Sequence, residues 1–344
     1  GGAGGDSDTA ERLREARERL GKLKSEVAAE QRRLDDGTMQ EAVVARGRML
    51  RKPAPALKRR RTMEGHYGKV YHANWGSSNE RLVSCSQDGK LILWDALAAG
   101  RKVQMVPLRT AWVMTCALDL QDQRSAAVGG LDDMCTIYRL GGSGISTPTC
   151  ELEGHEGYVS CCRFTQGNTT IATSSGDATC GVWDILKGER THKLEGHTGD
   201  VMCVSPSPRD AHMLSSGGCD SKAKIWDLRD GKASHTFTGH ESDVNAVQFS
   251  HDGNVVVTGS DDSTCRAFDL RRAGELNCFR SDKFVGSVTS VALSVSGRML
   301  FAGQDNNQVA AYDVLVGEGA PTYALRSHTG RVSCVALCPS GVAL

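Results

Sequence analysis

The chain repeats itself at a fixed interval. Gly-His pairs stand at Gly65-His66, Gly154-His155, Gly196-His197 and Gly239-His240. From His155 to His197 is 42 residues, and from His197 to His240 is 43. His66 to His155 is 89 and His240 to His328 is 88, each twice that interval. Two units lacking the histidine therefore fall around Arg109 and Asp282, which gives seven starts. Self-similarity at this period means small equivalent units that bury their apolar faces only against one another.

Each start is followed by further landmarks at steady offsets. An acidic or amide residue comes next: Asp88, Asp132, Asp177, Asp220, Asp262 and Asn306. Six residues on stands an aromatic: Trp94, Tyr138, Trp183, Trp226, Phe268 and Tyr312. Asp usually follows, as Asp95, Asp184, Asp227, Asp269 and Asp313. Short alternating apolar runs at 159–164, 201–205 and 244–249 lie between turn signals such as Asp88-Gly89 and Asp252-Gly253, so each unit reads as four short strands. A period of 42–43 residues with these landmarks resembles the WD-repeat propeller blade. The expected fold is all-β, a seven-bladed WD-repeat propeller over residues 58–344. Its seventh blade opens at His328 with a first strand at 332–337, but its Asp and Trp-Asp landmarks do not appear before Leu344. A truncated seventh blade and reduced stability are the expectation, because a propeller closes by pairing that shields its edges.

The recurring His, Asp and aromatic sit near serines (Ser84 or Ser86, Ser174 or Ser175) and invite a catalytic reading. Triad chemistry needs one activated nucleophile beside a pocket, whereas this set recurs blade after blade, as scaffolding does. The resemblance implies a hydrogen-bonded relay in which Asp orients His, His reaches Ser and Ser reaches Trp. Its members would be His66, Asp88, Trp94, Asp132, His155, Asp177, Trp183, His197, Asp220, Trp226, His240 and Asp262. No enzyme site is expected.

Charge divides the chain although the total is zero. Residues 1–62 hold sixteen Lys/Arg against ten Asp/Glu, leaving the remainder with 25 against 31. A basic arm on a mildly acidic body argues against nucleic acid, whose binders carry basic stripes on the folded domain. No run approaches the ~18 apolar residues of a membrane span. The Gly-rich first ten residues lack a signal-peptide core, and the absence of an initial Met suggests processing. Thirteen Cys without a secretory signal read as reduced thiols, and none forms a C-x-x-C pair, so neither metal nor cofactor is expected.

Residues 10–36, after a disordered stretch at 1–9, are charged and Pro-free. Leu13, Leu20, Val27 and Leu34 lie seven apart, with Ala16 and Leu23 on the companion seam before Glu30 breaks it. This is an a/d stripe over about four heptads, with Asp8 or Thr9 as N-cap and Gly37 as C-cap. Alone in water such a helix is marginal, so the stripe calls for a coiled-coil partner. A loop at 37–57 follows. Lys58-Arg59-Arg60-Arg61 reads either as a nuclear signal or as the outer strand that clasps the seventh blade shut.

Longer motifs narrow the resemblance. Gly65-His66-Tyr67-Gly68-Lys69-Val70-Tyr71, Ser86-Gln87-Asp88-Gly89-Lys90, Ala111-Trp112-Val113-Met114-Thr115-Cys116, Gly157-Tyr158-Val159-Ser160-Cys161-Cys162 and Gly239-His240-Glu241-Ser242-Asp243-Val244-Asn245 resemble the heterotrimeric G protein β subunits. The resemblance implies that the helix pairs with a γ subunit, which carries the lipid anchor, since no direct anchor is read in this chain. It implies that one face binds α subunit in the GDP state and, once released through a receptor that acts indirectly, binds effectors. Implied contacts are Lys69, Tyr71, Lys90, Trp112, Met114, Leu131, Tyr158, Asp200, Met202, Asp243, Asn245 and Asp261. The implied place is the cytoplasmic face of the plasma membrane, held peripherally through lipidated γ and α, and otherwise the cytoplasm. Tyr67, Glu156 and Asp133 stand where the family usually has Leu, Thr and Asn, which bears on partner choice. The rival reading is a general WD-repeat adaptor for a ubiquitin ligase, kinase or ribosome; it would be soluble alone and predicts neither the heptads nor the Trp112/Lys69 set.

Overall fold

The computed structural model describes residues 19, 22, 57, 61–96, 100–141, 147–280, 285–315, 321–341 and 344. The chain separates into two units, 1–50 and 51–344. In the first, Arg19 and Lys22 are described, both helical and exposed. The heptad residues Leu13, Ala16, Leu20, Leu23, Val27 and Leu34 lie outside the described residues.

In the second unit, six four-stranded antiparallel sheets form the blades of a propeller. They span 70–107, 113–152, 159–195, 201–237, 244–279 and 288–325, numbered here blades 1 to 6. Each runs as an up-and-down meander, so chain order is sheet order. The first strands are Val70–Trp75, Val113–Leu118, Val159–Phe164, Val201–Pro206, Val244–Phe249 and Val288–Leu293. Successive first strands pack side by side as an inner ring.

Both faces of a blade are covered, which is why its middle strands are apolar without alternation. Leu91, Ile92, Leu93 and Trp94 are all buried. Leu91 and Leu93 join Val83, Cys85 and Val106 against Val113, Cys116 and Leu118 of blade 2. Leu82, Ile92 and Trp94 point to the opposite face, with Ala73 and Trp75 beside them. Along the outer strand of blade 1, Val103 and Met105 stay exposed.

The relay holds three blades together from inside. In blade 1, His66 Nδ1 lies 3.0 Å from Asp88, His66 Nε2 is 2.7 Å from Ser84 Oγ, and Trp94 Nε1 donates to the same oxygen at 2.8 Å. In blade 4, His197 bonds Asp220 at 2.9 Å and Ser216 at 2.7 Å, and Trp226 donates to Ser216 at 2.8 Å. Blade 3 corrects the sequence expectation: Thr173, not Ser174 or Ser175, bonds both His155 Nε2 and Trp183 Nε1, each at 2.8 Å. Strand alternation decides this, because Ser175 turns to Gly157 O and Ser174 to Ser160. In blade 5 the relay stops at Thr258, since Phe268 has no N–H to give. Blade 2 is a second correction. Asp132 holds its landmark position, but Arg109 replaces the histidine and pairs outward with Glu151 at 3.2 Å, leaving Asp132 Oδ1 buried without a hydrogen bond.

The landmark residue also shapes the turn between second and third strands. Its carboxylate accepts the amide two residues on, from Lys90, Thr179, Lys222 and Thr264 in blades 1, 3, 4 and 5. The residue between is left-handed in all six blades: Gly89, Asp133, Ala178, Ser221, Ser263 and Asn307.

Residues 332–338 run between blades 6 and 1 without pairing as a regular strand. Thr289 Oγ1 donates to Val332 O at 2.5 Å, and Val335 N donates to Ser290 Oγ at 3.0 Å. On the other side Trp75 Nε1 donates to Ala336 O at 3.0 Å and Cys334 Sγ to Ala73 O at 3.4 Å. Val332 and Val335 pack with Phe301, Tyr323 and Leu57. Of the Lys58–Arg61 run, Arg61 is described, and it donates to Ala96 O of blade 1 at 2.6 Å. The other three lie outside the described residues.

Candidate partner-binding face

An antiparallel meander brings the start of the first strand, the end of the second and the start of the third to one end of the blade. All the contact residues named above fall there. They occupy a few backbone positions that recur around the ring. Lys69, Trp112, Tyr158, Asp200 and Asp243 each immediately precede a first strand. Their carbonyls accept the amide just past the second strand, from Gln87, Leu131, Gly176, Cys219 and Asp261 respectively, at 2.8–3.0 Å. Tyr71, Met114, Met202 and Asn245 are second in their first strands, and each is the unpaired extra residue of a β-bulge. A bulge re-aims the side chain it carries. Here the repeat frees one side chain per blade from the ladder at the end where the contacts gather. In blades 3 and 6 the bulge residues are Ser160 and Thr289. Their hydroxyls are spent on the neighbouring Val201 O and Val332 O.

Side chains differ around this constant frame. In blades 1 and 2, Trp112 and Leu131 are each 51% exposed, and Tyr67 is 89% exposed with Lys90 Nζ 5.2 Å from its ring centre. Trp112 and Leu131 are held by backbone: a Cβ on Gly130 would stand 2.2 Å from Trp112 O, so only glycine permits this approach. Lys69 is exposed and Tyr71 and Met114 partly so. This sector is cationic and aromatic.

Across the ring the face is acidic. Tyr158 of blade 3 donates its hydroxyl to Asp200 of blade 4 at 2.8 Å, and that oxygen lies 3.6 Å from Met202 Sδ. Burial and the Asp200 bond raise the Tyr158 phenol, which stays neutral. Asn245 Nδ2 donates to Asp261 at 2.6 Å and to Val288 O at 3.1 Å, tying blade 5 to blade 6. The Cys219 thiol is pushed up to about 12, first by burial and then by Asp243, Asp200 and Asp261, which converge on it. Cys219 occupies the same backbone position as Leu131 and Asp261, and Tyr67 stands beside Lys90. Cys219 was not among the residues singled out from sequence, and Tyr67 was singled out only as a departure bearing on partner choice, not as a contact. Positional equivalence within the repeat was the available signal for Cys219, and the Gly-His-Tyr departure was the signal for Tyr67.

Among the described residues, no group of three or more His, Cys, Asp or Glu is placed to hold a metal ion. No described helix is long and apolar enough to cross a membrane.

Comparison with known proteins fits this geometry. A family model described as "G protein beta WD-40 repeat protein" matches residues 9–344. A guanine nucleotide-binding protein subunit beta from Arabidopsis thaliana is 41% identical over 300 residues, covering 83% of this chain and 79% of the relative. The subunit beta of Solanum tuberosum is 39% identical over 300 residues, with the same shares covered. That of Oryza sativa subsp. japonica is 41% identical over 302 residues, again with 83% and 79% covered. With a match along nearly its whole length and relatives near 40% identity, the chain belongs to the G protein β family of WD-40 repeat proteins.

Proposed function

We propose that this β subunit works by binding and not by catalysis, and that its bulge-bearing face receives an α subunit in the GDP state. The observation that carries this is the two-sided face: Trp112, Leu131, Lys69 and Lys90 on one sector and Asp200, Asp243 and Asp261 on the other. Half-exposed aromatic and aliphatic anchors flanked by opposite charges make an oriented, electrostatically steered docking surface. A partner whose switch region fits this face with GDP bound, and loses the fit with GTP, is retained and released accordingly. By linkage, a β subunit that prefers GDP-bound α slows loss of GDP. The freed face then serves effectors, with receptor action reaching this chain through α.

In the same reading, the heptads from Leu13 to Leu34 pair with a γ subunit. The γ and α lipids hold the assembly at the cytoplasmic face of the plasma membrane. Residues 332–338 are the inner strand of a seventh blade, which their bonds to both blade 6 and blade 1 support.

The test is capture by α subunit of the chain co-expressed with γ. GDP-loaded α should be held and α with a non-hydrolysable GTP analogue released. Trp112→Ala or Lys69→Ala should weaken capture by ~2 kcal/mol, about thirtyfold. Equal capture in both nucleotide states, or unchanged affinity in both variants, refutes the assignment of this face.

A further inference from the structure

One basic run stands apart from the partner-binding face. Lys58, Arg59, Arg60 and Arg61 lead directly into Thr62, and no other serine or threonine in the chain follows four consecutive Lys/Arg. Met63 comes next. A hydroxyl with arginines two and three residues before it and an apolar residue after it suits the groove of a kinase lined with carboxylates. Guanidinium forks set the register against those carboxylates, and the apolar residue fills the space beyond the reacting oxygen.

The structure presents this hydroxyl for use. Residues 61–66 belong to no helix or strand, and Arg61, Thr62, Met63 and Glu64 are all exposed. No ladder has to break for Thr62 to enter an extended substrate pose. The segment runs beside the third and outer strands of blade 1, with anchors on both sides of Thr62. Before it, Arg61 Nη1 donates to Ala96 O at 2.6 Å. After it, Met63 packs on Gly100, where an added Cβ would stand 2.9 Å from Met63 Cγ, and Lys102 lies across Gly65. His66 and the Tyr67 amide then bond Asp88, each at 3.0 Å. The hydroxyl is thus held at a fixed place on the edge of blade 1 without being enclosed.

We infer that Thr62 is a phosphorylation site for an arginine-directed Ser/Thr kinase. In the transfer, Thr62 Oγ1 bonds the γ-phosphorus of ATP as the bond to the ADP oxygen breaks, and the hydroxyl proton passes to the kinase's carboxylate base. The product carries a charge of about −1.5 to −2 at pH 7. It stands on an edge whose exposed cations are Arg61, Arg101 and Lys102, with Glu64 the one acid in residues 61–66. Against the four charges of Lys58–Arg61, one phosphate cancels close to half, so the modification switches the charge of the segment that leads into blade 1.

The purified, folded full chain and a peptide of residues 57–66 are each incubated with magnesium ATP and the catalytic subunit of cyclic AMP-dependent protein kinase. Initial rates are measured and the modified residue is mapped by mass spectrometry. Thr62 should be the principal site, with a kcat/KM within about tenfold of the peptide's. Thr62→Ala should remove that phosphate and Thr62→Ser should retain it. Arg59→Ala and Arg60→Ala should each lower kcat/KM about tenfold or more, with melting temperatures unchanged, which separates recognition from unfolding. A folded chain that takes no phosphate on Thr62, or arginine variants modified at the parental rate, overturns the site.

Discussion

Replacing Thr173 by Val tests the relay at its hub, because the shape is kept and only the hydroxyl is lost. That oxygen takes the Trp183 indole N–H and bonds His155 Nε2, both at 2.8 Å. Trp183 is 1% exposed and His155 7%, so water cannot replace either bond. A buried polar group left unpaired costs about 1–3 kcal/mol. Two such groups put the expected loss at roughly 2–6 kcal/mol. Blade 5 supplies an internal control. Thr258 bonds His240 Nε2 at 2.7 Å, but its aromatic neighbour is Phe268, which donates nothing. Thr258→Val therefore strands one group and should cost about half as much, roughly 1–3 kcal/mol. Each threonine also faces a carbonyl at 3.4 Å, Gly181 O or Arg266 O, so that contribution cancels between the two. Thr173→Ser keeps the hydroxyl and should cost no more than the lost methyl, about 1 kcal/mol. Urea unfolding of the three variants against the parent, read by tryptophan fluorescence, ranks them. If Thr173→Val is no worse than Thr258→Val, or if Thr173→Ser is as damaging as Thr173→Val, the relay does not hold the blade as described.

Three further outcomes follow from the same geometry. Acid should destabilise the propeller in two stages. Burial lowers the folded-state pKa of His155 and His197 despite their Asp partners, so the unfolded chain binds those protons first. Stability then falls as pH drops below about 6.5, by at most about 1.4 kcal/mol per pH unit for each histidine. Burial would raise the Asp177 carboxyl, but bonds from Thr179 and His155 outweigh it and bring it to about 2 from 3.8; a second loss therefore runs between those values. Melting temperatures from pH 8 to pH 2 check both. Ala178 holds a left-handed φ of 63° in a turn where blade 1 has Gly89, so Ala178→Gly should raise stability by about 1 kcal/mol, measured by urea midpoint. Gly130→Ala should do the opposite, costing about 1–3 kcal/mol, because the new methyl meets Trp112 O. It should also weaken α capture more than its stability loss explains, since Trp112 and Leu131 move with that backbone.

Much of the fold was legible because the landmarks have structural duties. Asp88, Asp177, Asp220 and Asp262 each orient a histidine and close a turn, so they recur at fixed offsets. The relay's hydroxyl was less legible. Sequence named Ser174 or Ser175 and passed over Thr173, and strand alternation is what turns Thr173 instead toward His155. Asp132 misled because its position was kept while its function was lost. Its partner had become Arg109, whose length carries the charge out to Glu151. The 332–337 strand was read from its place after His328 in the repeat. In the structure its bonds go to Thr289, Ser290, Trp75 and Ala73 on either side, not to a second strand of its own.

The binding face shows why a repeat can be rigid and specific at once. Its frame is the same in all six described blades: a carbonyl before the first strand caps the end of the second, and a bulge lifts the next-but-one side chain out of the ladder. Frame positions are fixed by backbone hydrogen bonds, so the frame itself does not dictate which side chains stand there. They are free to be Lys in blade 1, Trp in blade 2, Tyr in blade 3 and Asp in blades 4 and 5. Where a bulge side chain is recruited for packing instead, as Ser160 and Thr289 are, that blade contributes no freed side chain at this position. Sequence periodicity finds the frame, but it cannot show which side chains the frame releases. That depends on the side chain's reach as well as its position: Asn245 bonds the neighbouring Val288 O and still presents its amide to Asp261, whereas the short Ser160 and Thr289 hydroxyls go to the neighbouring carbonyl.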